Sequence, residues 1–523
     1  MTKKDFFSRQ KPYFVRAAPV AEGSFMLNLA VRNTKKLIRE KAKEENVRIG
    51  RFFTAKETAA LMASFLSIPK AESLRVLDPG AGTGILSAAV IEAICRRGEA
   101  KEISLVCYEN DALFIPILEK NLARLRQKCR REYGIALSFR IREENFVLSK
   151  HDQYSLSLFA AEEETFDLVI MNPPSEPLRP KSPEYCATED LCRGVTDLAF
   201  AFTAMAFFSL KEGGQMVASL PVAYAGSVNL SPLRTHLMKE GYIERIHAFF
   251  RKSKDAFRPN EAKGSLLLKL VKAPLPDGFK ILLTSSFGKG KEVTLLRPMP
   301  YYDIVNPETG ALVLPESEVD IAILSLVRSF PATLSSLRLR MRTGLTLESR
   351  YPDAIRQTPE EGAIPLICPS DLENGAVHYS GKKFVIPVIP SLAQPNRNMI
   401  LLKRVPAKKD KRHLFCGVYF SASLPHSRYI STSNKLNYIE GLEGNEMDSP
   451  MLYGLYAILS SDLYERYCTL LSKSPQINAT DYADLPLPDE KTLREIGNRL
   501  LTTRLLTPGM CNSTVNKVLR LEK

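Results

Sequence analysis

Leu74-Arg75-Val76-Leu77-Asp78-Pro79-Gly80-Ala81-Gly82-Thr83-Gly84 is an apolar run that ends in a carboxylate, a proline and three glycines at alternate positions. Leu74 to Leu77 predicts a short buried strand, Asp78-Pro79 and the glycines break it, and Ile85 to Cys95 predicts an apolar helix. In a strand, glycine-rich turn and helix, backbone N–H groups can approach a cofactor closely, because glycine has no Cβ to hold it off. The spacing is Gly-x-Gly-x-Gly rather than Gly-x-Gly-x-x-Gly, and alone it could also accompany a dinucleotide.

A second stretch, Val169-Ile170-Met171-Asn172-Pro173-Pro174-Ser175, places Asn172 94 residues after Asp78. Two prolines continue neither a ladder nor a helix, so a strand Phe166 to Met171 must stop there and leave Asn172 at its C-terminal edge. Open α/β sheets bind ligands at that edge. Taken alone, Asn-Pro-Pro is equally a stiff turn after a strand; beside a glycine loop it suits methylation of a planar amino group. The lone pair of an adenine N6 amine is delocalised into the ring, and two acceptors on its hydrogens draw it toward a pyramidal, attacking form. The Asn172 side-chain oxygen and the Pro173 carbonyl are the expected acceptors, and the fixed φ of proline helps to hold the carbonyl. No proton-abstracting base is needed.

Outward from these two stretches, residues 24 to 46 predict a helix with apolar positions Phe25, Leu29, Leu37 and Ile38, and Ala55 to Leu66 predicts another. A strand Ile103 to Tyr108 ends at Glu109, 31 residues after Asp78, where a carboxylate can take both hydroxyls of a ribose. A long basic helix from about Ala112 to Tyr133 follows, then a strand Ala136 to Ile141 and the stretch Glu144-Asn145-Phe146. Leu198 to Leu210 predicts an apolar helix, Gln215 to Leu220 a fifth strand, and Ile243 to Phe249 and Ser265 to Val271 two more apolar runs around a basic loop containing Phe257. This alternation predicts a mostly parallel, doubly wound α/β sheet over about residues 45–275. Short β-type runs and prolines then dominate 275–450, read as a second, irregular α/β domain, and Met451 to Leu471 and Asp489 to Leu505 return to helix. The expected division is an N-terminal helical segment 1–48, a catalytic domain 49–275 and a second domain 276–523.

At 523 residues the chain is too long for one ordinary core. Its net charge of +14 favours a polyanionic partner, although basic residues on a solvated surface explain it as well. Nine scattered cysteines without a C-x-x-C pattern point to reduced thiols in a cytoplasm, and no metal site is expected. No apolar run is long enough for a membrane span, and the N-terminus lacks the apolar region of a signal peptide, so a soluble cytoplasmic protein is expected.

Asp78 before the loop, Glu109 at the second strand end and Asn-Pro-Pro on the fourth strand tilt the expected cofactor toward S-adenosylmethionine. Asp78 would fix a cofactor-side water or the amino group, Asn145 would bond the exocyclic amine of the cofactor's adenine, and Phe146 would pack on that ring. Phe146 also reads as ordinary core, and Glu109 as a solvated carboxylate at a strand end.

In order, Gly50-Arg51-Phe52-Phe53-Thr54, Asp78 to Gly84, Asn172 to Ser175 and a C-terminal domain resemble the gamma class of adenine-N6 DNA methyltransferases. The closer resemblance is to modification methylases of the BsuBI/PstI type. It rests on Lys403-Arg404-Val405-Pro406-Ala407-Lys408-Lys409-Asp410-Lys411-Arg412-His413, Thr432-Ser433-Asn434-Lys435-Leu436-Asn437-Tyr438, Ser474-Pro475-Gln476-Ile477-Asn478-Ala479-Thr480-Asp481 and Arg342-Thr343-Gly344. It spans about residues 45 to 490. Each motif is modest, and their shared order is the specific signal.

The resemblance implies a class I S-adenosylmethionine-dependent methyltransferase domain, Rossmann-like, followed by an α/β target-recognition domain. It implies that Thr54 and the loop with Asp78, Gly80, Gly82 and Gly84 hold the methionine part, Glu109 the ribose, and Asn145 and Phe146 the adenine. Asn172, Pro173, Pro174 and Ser175 would surround the target base beside the cofactor, with Phe257 stacked on it. Lys403, Arg404, Lys408, Lys409, Lys411, Arg412, Asn437, Gln476 and Asn478 would face double-stranded DNA. A separately encoded cognate restriction endonuclease is left open.

Two positions depart from the family pattern. Ser175 stands where an aromatic ring usually stacks on the extruded adenine, a contact worth roughly 1–3 kcal/mol. Asn145 stands where Asp is common, keeping an acceptor without the charge. RNA or a protein glutamine as substrate, and a non-catalytic DNA-binding relative, are the competing readings. The recognised DNA site is not legible.

Overall fold

The structure, a computed structural model, describes residues 25–41, 53–157, 164–189, 195, 197–251, 261–287, 293–405, 412, 414–442, 444–471, 477, 479–482, 484–501 and 506–521. They fall into two compact units, one within residues 12–253 and 260–316, the other chiefly of 317–523.

In the first unit, helices α1 (Phe25–Lys41) and α2 (Lys56–Phe65) precede β1 (Ser73–Pro79), α3 (Ile85–Arg97), β2 (Glu102–Tyr108), α4 (Ile115–Lys128), β3 (Ala136–Arg142), α5 (Phe146–Ser157) and β4 (Phe166–Met171). Then follow α6 (Pro183–Thr188), α7 (Leu198–Phe208), β5 (Leu210–Pro221), α8 (Ser231–Glu240), β6 (Tyr242–Arg251), β7 (Glu261–Val271), β8 (Lys280–Phe287) and β9 (Val293–Pro300). The strands form one sheet in the order β3-β2-β1-β4-β5-β7-β6-β8-β9. β1 pairs in parallel with β2 on one side and with β4 on the other, Val76 opposite Leu168 and Leu77 opposite Val169. The chain therefore winds outward from β1 through β2 to β3 and returns to β4 on the far side of β1. Such a reversal opens a crevice at the C-terminal strand ends.

Three features differ from the sequence reading. β7, expected within a mostly parallel sheet, runs antiparallel to both β5 and β6. The sheet does not end near residue 275: β8 and β9 extend it, and the compact unit continues to Glu316. Short apolar runs look alike whichever sheet they join, so periodicity could not assign these two. Nor is α1 a separate segment, because Met26, Leu27 and Ala30 share one apolar core with Ile91 and Ile94 of α3 and Leu118 and Leu122 of α4. The long helix expected from Ala112 starts later, where Asp111 accepts the Leu113 N–H, and ends in a π turn, Cys129–Tyr133, before Gly134 at φ 67°.

His247 of β6 is fully buried, its ring nitrogens 3.0 Å from the hydroxyls of Thr284 and Ser286. Burial, then neighbouring Arg245, pushes its pKa down to about 3, so the folded chain holds it neutral. Its contribution is present above the ordinary value near 6.5 and is lost as pH falls toward 3. Lowering the pH from 7 to 5 should cost about 2 kcal/mol of stability through this group. Denaturant titrations at both pH values should find that increment reduced in His247→Gln.

In the second unit, one six-stranded sheet orders Leu339–Thr343, Leu436–Gly441, Met399–Lys403, Cys416–Tyr419, Ala376–Val377 and Leu372–Glu373. A five-stranded sheet orders Ile355–Arg356, Phe384–Val385, Ile364–Ile367, Tyr429–Thr432 and Gln394–Pro395. Helices span Glu318–Arg328, Ser449–Leu459, Asp462–Leu471, Glu490–Leu500 and Pro508–Val518. The single helix expected from Met451 to Leu471 breaks at Ser460 and Ser461, where the Ser461 hydroxyl accepts the Tyr464 N–H and starts a new one. Among the described residues, no helix is long and apolar enough to cross a membrane.

Candidate functional site

The C-terminal ends of β1, β2 and β4 border a cleft of about 910 Å³ within the first unit. Gly80, Gly82 and Gly84 have φ of 79°, 55° and 81°, the left-handed region that favours glycine. At Gly84 a Cβ would also come within 2.9 Å of Leu118 Cδ1, so the end of that α4 side chain would have to shift to admit one. The N–H groups of Gly80 and Ala81 both donate to the Tyr108 carbonyl at 2.9 Å, tying the loop to the end of β2.

Glu109 follows β2 and lines the cleft. Its Oε2 accepts the Gly82 N–H at 2.7 Å and its Oε1 the Asp111 N–H at 2.8 Å. Burial raises its pKa more than these bonds lower it. A half-desolvated carboxylate with lone pairs to spare is suited to further hydroxyl donors.

Asn172 lies at the end of β4, and its Nδ2 donates to Thr54 Oγ1 at 3.1 Å. This contact joins residues 118 apart in sequence and leaves Oδ1 as the acceptor end of the amide. Pro173, Pro174 and Ser175 line the same cleft, as does Thr54. The Ser175 hydroxyl donates to Asp197 Oδ2 at 2.8 Å, while Oδ1 of that carboxylate caps α7 through the Ala199 N–H at 2.9 Å. The Leu198 N–H donates to the Glu176 carbonyl. The segment after Asn-Pro-Pro is thereby laced to the start of α7.

Phe146 lines the cleft with its ring 5.0 Å from Tyr108 and 5.2 Å from Phe202. Asn145 also lines it, but its oxygen already accepts the Leu148 N–H at 3.3 Å as the cap of α5, and its Nδ2 donates to Glu184. One lone pair of that oxygen is left for a ligand.

Asp78 differs most from the expected role. It is fully buried and does not line the cleft; Oδ2 accepts the Ser87 hydroxyl at 2.5 Å. Its Oδ1 is buried without a hydrogen-bond partner among the described residues, and burial pushes its pKa up to about 7. It thus braces β1 against the first turn of α3 from beneath the loop. Gly84, the cap of α3, also lies outside the lining.

The sequence reading missed Phe53 and Phe114, whose rings meet edge to face at 5.2 Å in the cleft, and Phe202 of α7. Phe53 precedes Thr54 directly, a usable signal. Phe202 sits in a helix buried on nearly every side, where apolar periodicity reads as core.

In the second unit, Lys403 ends a strand with its ammonium 3.8 Å from the Phe415 ring centre, and Arg404 donates to the Asn434 carbonyl. Two residues expected at DNA are engaged inside the unit instead. Asn437 is fully buried, donating to the Ile477 carbonyl and accepting from the Thr343 hydroxyl. Arg412 pairs with Asp462 at 2.9 Å and with Glu465 at 3.8 Å. Phe257, Lys408, Lys409, Lys411, Gln476 and Asn478 lie outside the described residues.

Residues 35–269 match the model of the family described as N-6 DNA Methylase. The chain is 25% identical over 468 residues to the type II methyltransferase M.PstI of Providencia stuartii, covering 87% of this chain and 89% of that one. To the type II methyltransferase M.BsuBI of Bacillus subtilis it is 24% identical over 464 residues, covering 86% and 89%. Among solved structures, the type IIL restriction-modification enzyme MmeI in complex with DNA shares 12% identity over 95% of this chain and 75% of that one, with a TM-score of 0.43.

Proposed function

From its place among the adenine-N6 DNA methyltransferases of the BsuBI/PstI type, we propose that the chain is the site-specific modification enzyme of a restriction-modification system, methylating N6 of an adenine turned out of duplex DNA. The observation that carries the catalytic reading is the Asn172 amide, held by Thr54 through its nitrogen so that its oxygen is left for the base.

The residues present fit S-adenosylmethionine: a cradle of left-handed glycines, a half-desolvated carboxylate at the next strand end, and an aromatic wall of Phe53, Phe114 and Phe146. When bound, this cofactor supplies an electrophilic methyl group on its sulfonium. Glu109 would accept the two ribose hydroxyls, adding donors to a carboxylate that burial leaves undersolvated. Phe146 would pack against the adenine ring, and the remaining lone pair of Asn145 would take its amine. Asn172 Oδ1 and the Pro173 carbonyl each accept one hydrogen of the target N6 amine, localising its lone pair for attack. The Nδ2 bond to Thr54 polarises the Asn172 amide and strengthens its oxygen as an acceptor. N6 is sealed in a base pair and the cleft is concave, so the nucleotide has to leave the stack to reach it.

Ser175 supplies no amine acceptor and no stacking face; it anchors the loop on Asp197. Ser175→Tyr should lower the KM for DNA about tenfold, the worth of one base–aromatic contact, at little cost in stability because Ser175 is exposed. Steady-state kinetics on the cognate duplex would show this, and an unchanged KM would mean that position 175 does not face the base.

The proposal as a whole is tested by sequencing native DNA from a methylation-deficient host expressing the chain, with Asn172→Ala as control. N6-methyladenine in one consistent context, absent from the control, is expected. Its absence, from a protein that still binds S-adenosylmethionine, would overturn the DNA reading.

A further inference from the structure

The glycine loop is gripped from outside the sheet. Thr83 lies between Gly82 and Gly84 and lines the cleft. Its hydroxyl is 2.6 Å from Thr34 Oγ1 of α1. Thr34 already donates to the Ala30 carbonyl at 2.8 Å, so Thr83 is the donor between the two hydroxyls. On its other side, the Thr83 carbonyl accepts Asn121 Nδ2 of α4 at 2.8 Å, and Asn121 Oδ1 accepts Asn33 Nδ2 of α1 at 2.5 Å. Thr34, Thr83 and Asn121 are at most 2% exposed. A chain of four polar side chains, three of them buried, thus runs from α1 to α4 through Thr83, which lies between two left-handed glycines.

We infer that Thr34, Asn33 and Asn121 are positioning residues for the cofactor, and that α1 is part of the cofactor site although none of its residues lines the cleft. Glycines on both sides make Thr83 the pivot of a loop whose backbone has conformational freedom to lose on binding. Holding both its hydroxyl and its carbonyl fixes that loop in advance, and a fixed loop gives up less entropy when a ligand seats on it. Packing alone would be served by an apolar pair at 34 and 83. A satisfied polar chain whose inner members are buried specifies one loop geometry, since any shift leaves a buried donor or acceptor open. The inference rests on the proposed function, because it assigns the loop to S-adenosylmethionine.

The test uses the full chain and S-adenosylmethionine, with calorimetric binding, thermal melting and methyl-transfer kinetics. Thr34→Val keeps the shape and removes the hydroxyl, Thr34→Ser restores it, and Asn33→Ala cuts the half-buried outer link with the least risk to folding. Thr34→Val and Asn33→Ala should each raise the Kd and KM for S-adenosylmethionine about tenfold, the size of one hydrogen bond. The kcat at saturating cofactor should stay within about twofold, and Thr34→Ser should return the Kd to the wild-type value. Variants that melt earlier yet bind the cofactor as tightly as wild type would overturn the inference, as would a Thr34→Ser variant as weak as Thr34→Val. If the wild-type chain binds no S-adenosylmethionine, the functional reading itself fails and takes this inference with it.

Discussion

Asn172→Ala should reduce kcat by two to three orders of magnitude while the Kd for S-adenosylmethionine stays within about twofold of wild type. The amide oxygen acts on charge that develops as N6 becomes pyramidal, and deleting one preorganised group at such a point costs about 10²–10³ in rate. Its loss also leaves the Thr54 hydroxyl without the Nδ2 donor it accepts. Asn172→Asp should fall between the two, since a carboxylate keeps an acceptor for the amine and Thr54 can reverse to become a donor. Single-turnover methyl transfer under saturating cofactor separates the chemical step from binding. A variant as fast as wild type would remove Asn172 from the chemistry, and an equal loss in cofactor affinity would make it a binding residue.

Glu109→Ala should raise the Kd for S-adenosylmethionine about a hundredfold, with a smaller effect on kcat at saturation. Two losses combine. The ribose hydroxyls lose charge-assisted acceptors, and the N–H groups of Gly82 and Asp111 lose the carboxylate that holds them at 2.7 and 2.8 Å. Hydrogen bonds to a charged group contribute about 1.5–3 kcal/mol each, so a hundredfold change is the expected order. Glu109→Gln should be nearly as poor. Both carboxylate oxygens accept backbone N–H groups, and an amide in their place must turn its own N–H₂ toward one of those donors. Calorimetry with S-adenosylmethionine decides the matter. A Kd unchanged in both variants would place the ribose elsewhere.

Much of this site was legible because its signals are local. A strand broken by Asp-Pro and alternating glycines, and another broken by Asn-Pro-Pro, follow from what proline and glycine permit in the backbone, whatever lies around them. Glu109 was legible for a related reason, since the end of the second strand of such a unit has a fixed place beside the first. The same logic misplaced Asp78, which shares the loop's sequence but points beneath it to Ser87. In the second unit, Asn437 looked like a contact residue in its motif, yet it joins the strands Leu339–Thr343 and Leu436–Gly441 from inside through Thr343. Polar residue types in a motif do not say which way the side chain faces.

The sequence by itself determined most of the first unit's elements as far as β7, the two loops that meet at the cleft and the carboxylate between them, because helix and strand periods and chain breaks are written in neighbouring residues. Only the tertiary structure decided the antiparallel insertion of β7 and the run of the sheet on to Pro300. It also decided the grip of Thr54 on Asn172, that of Asp197 on Ser175, and that of α1 on Thr83. Each of these is a choice of partner made through space, across 22 to 118 residues of chain for the Ser175 and Asn172 contacts. A hydroxyl or an amide is satisfied by several donors and acceptors equally well, and only the packed fold brings one of them within reach.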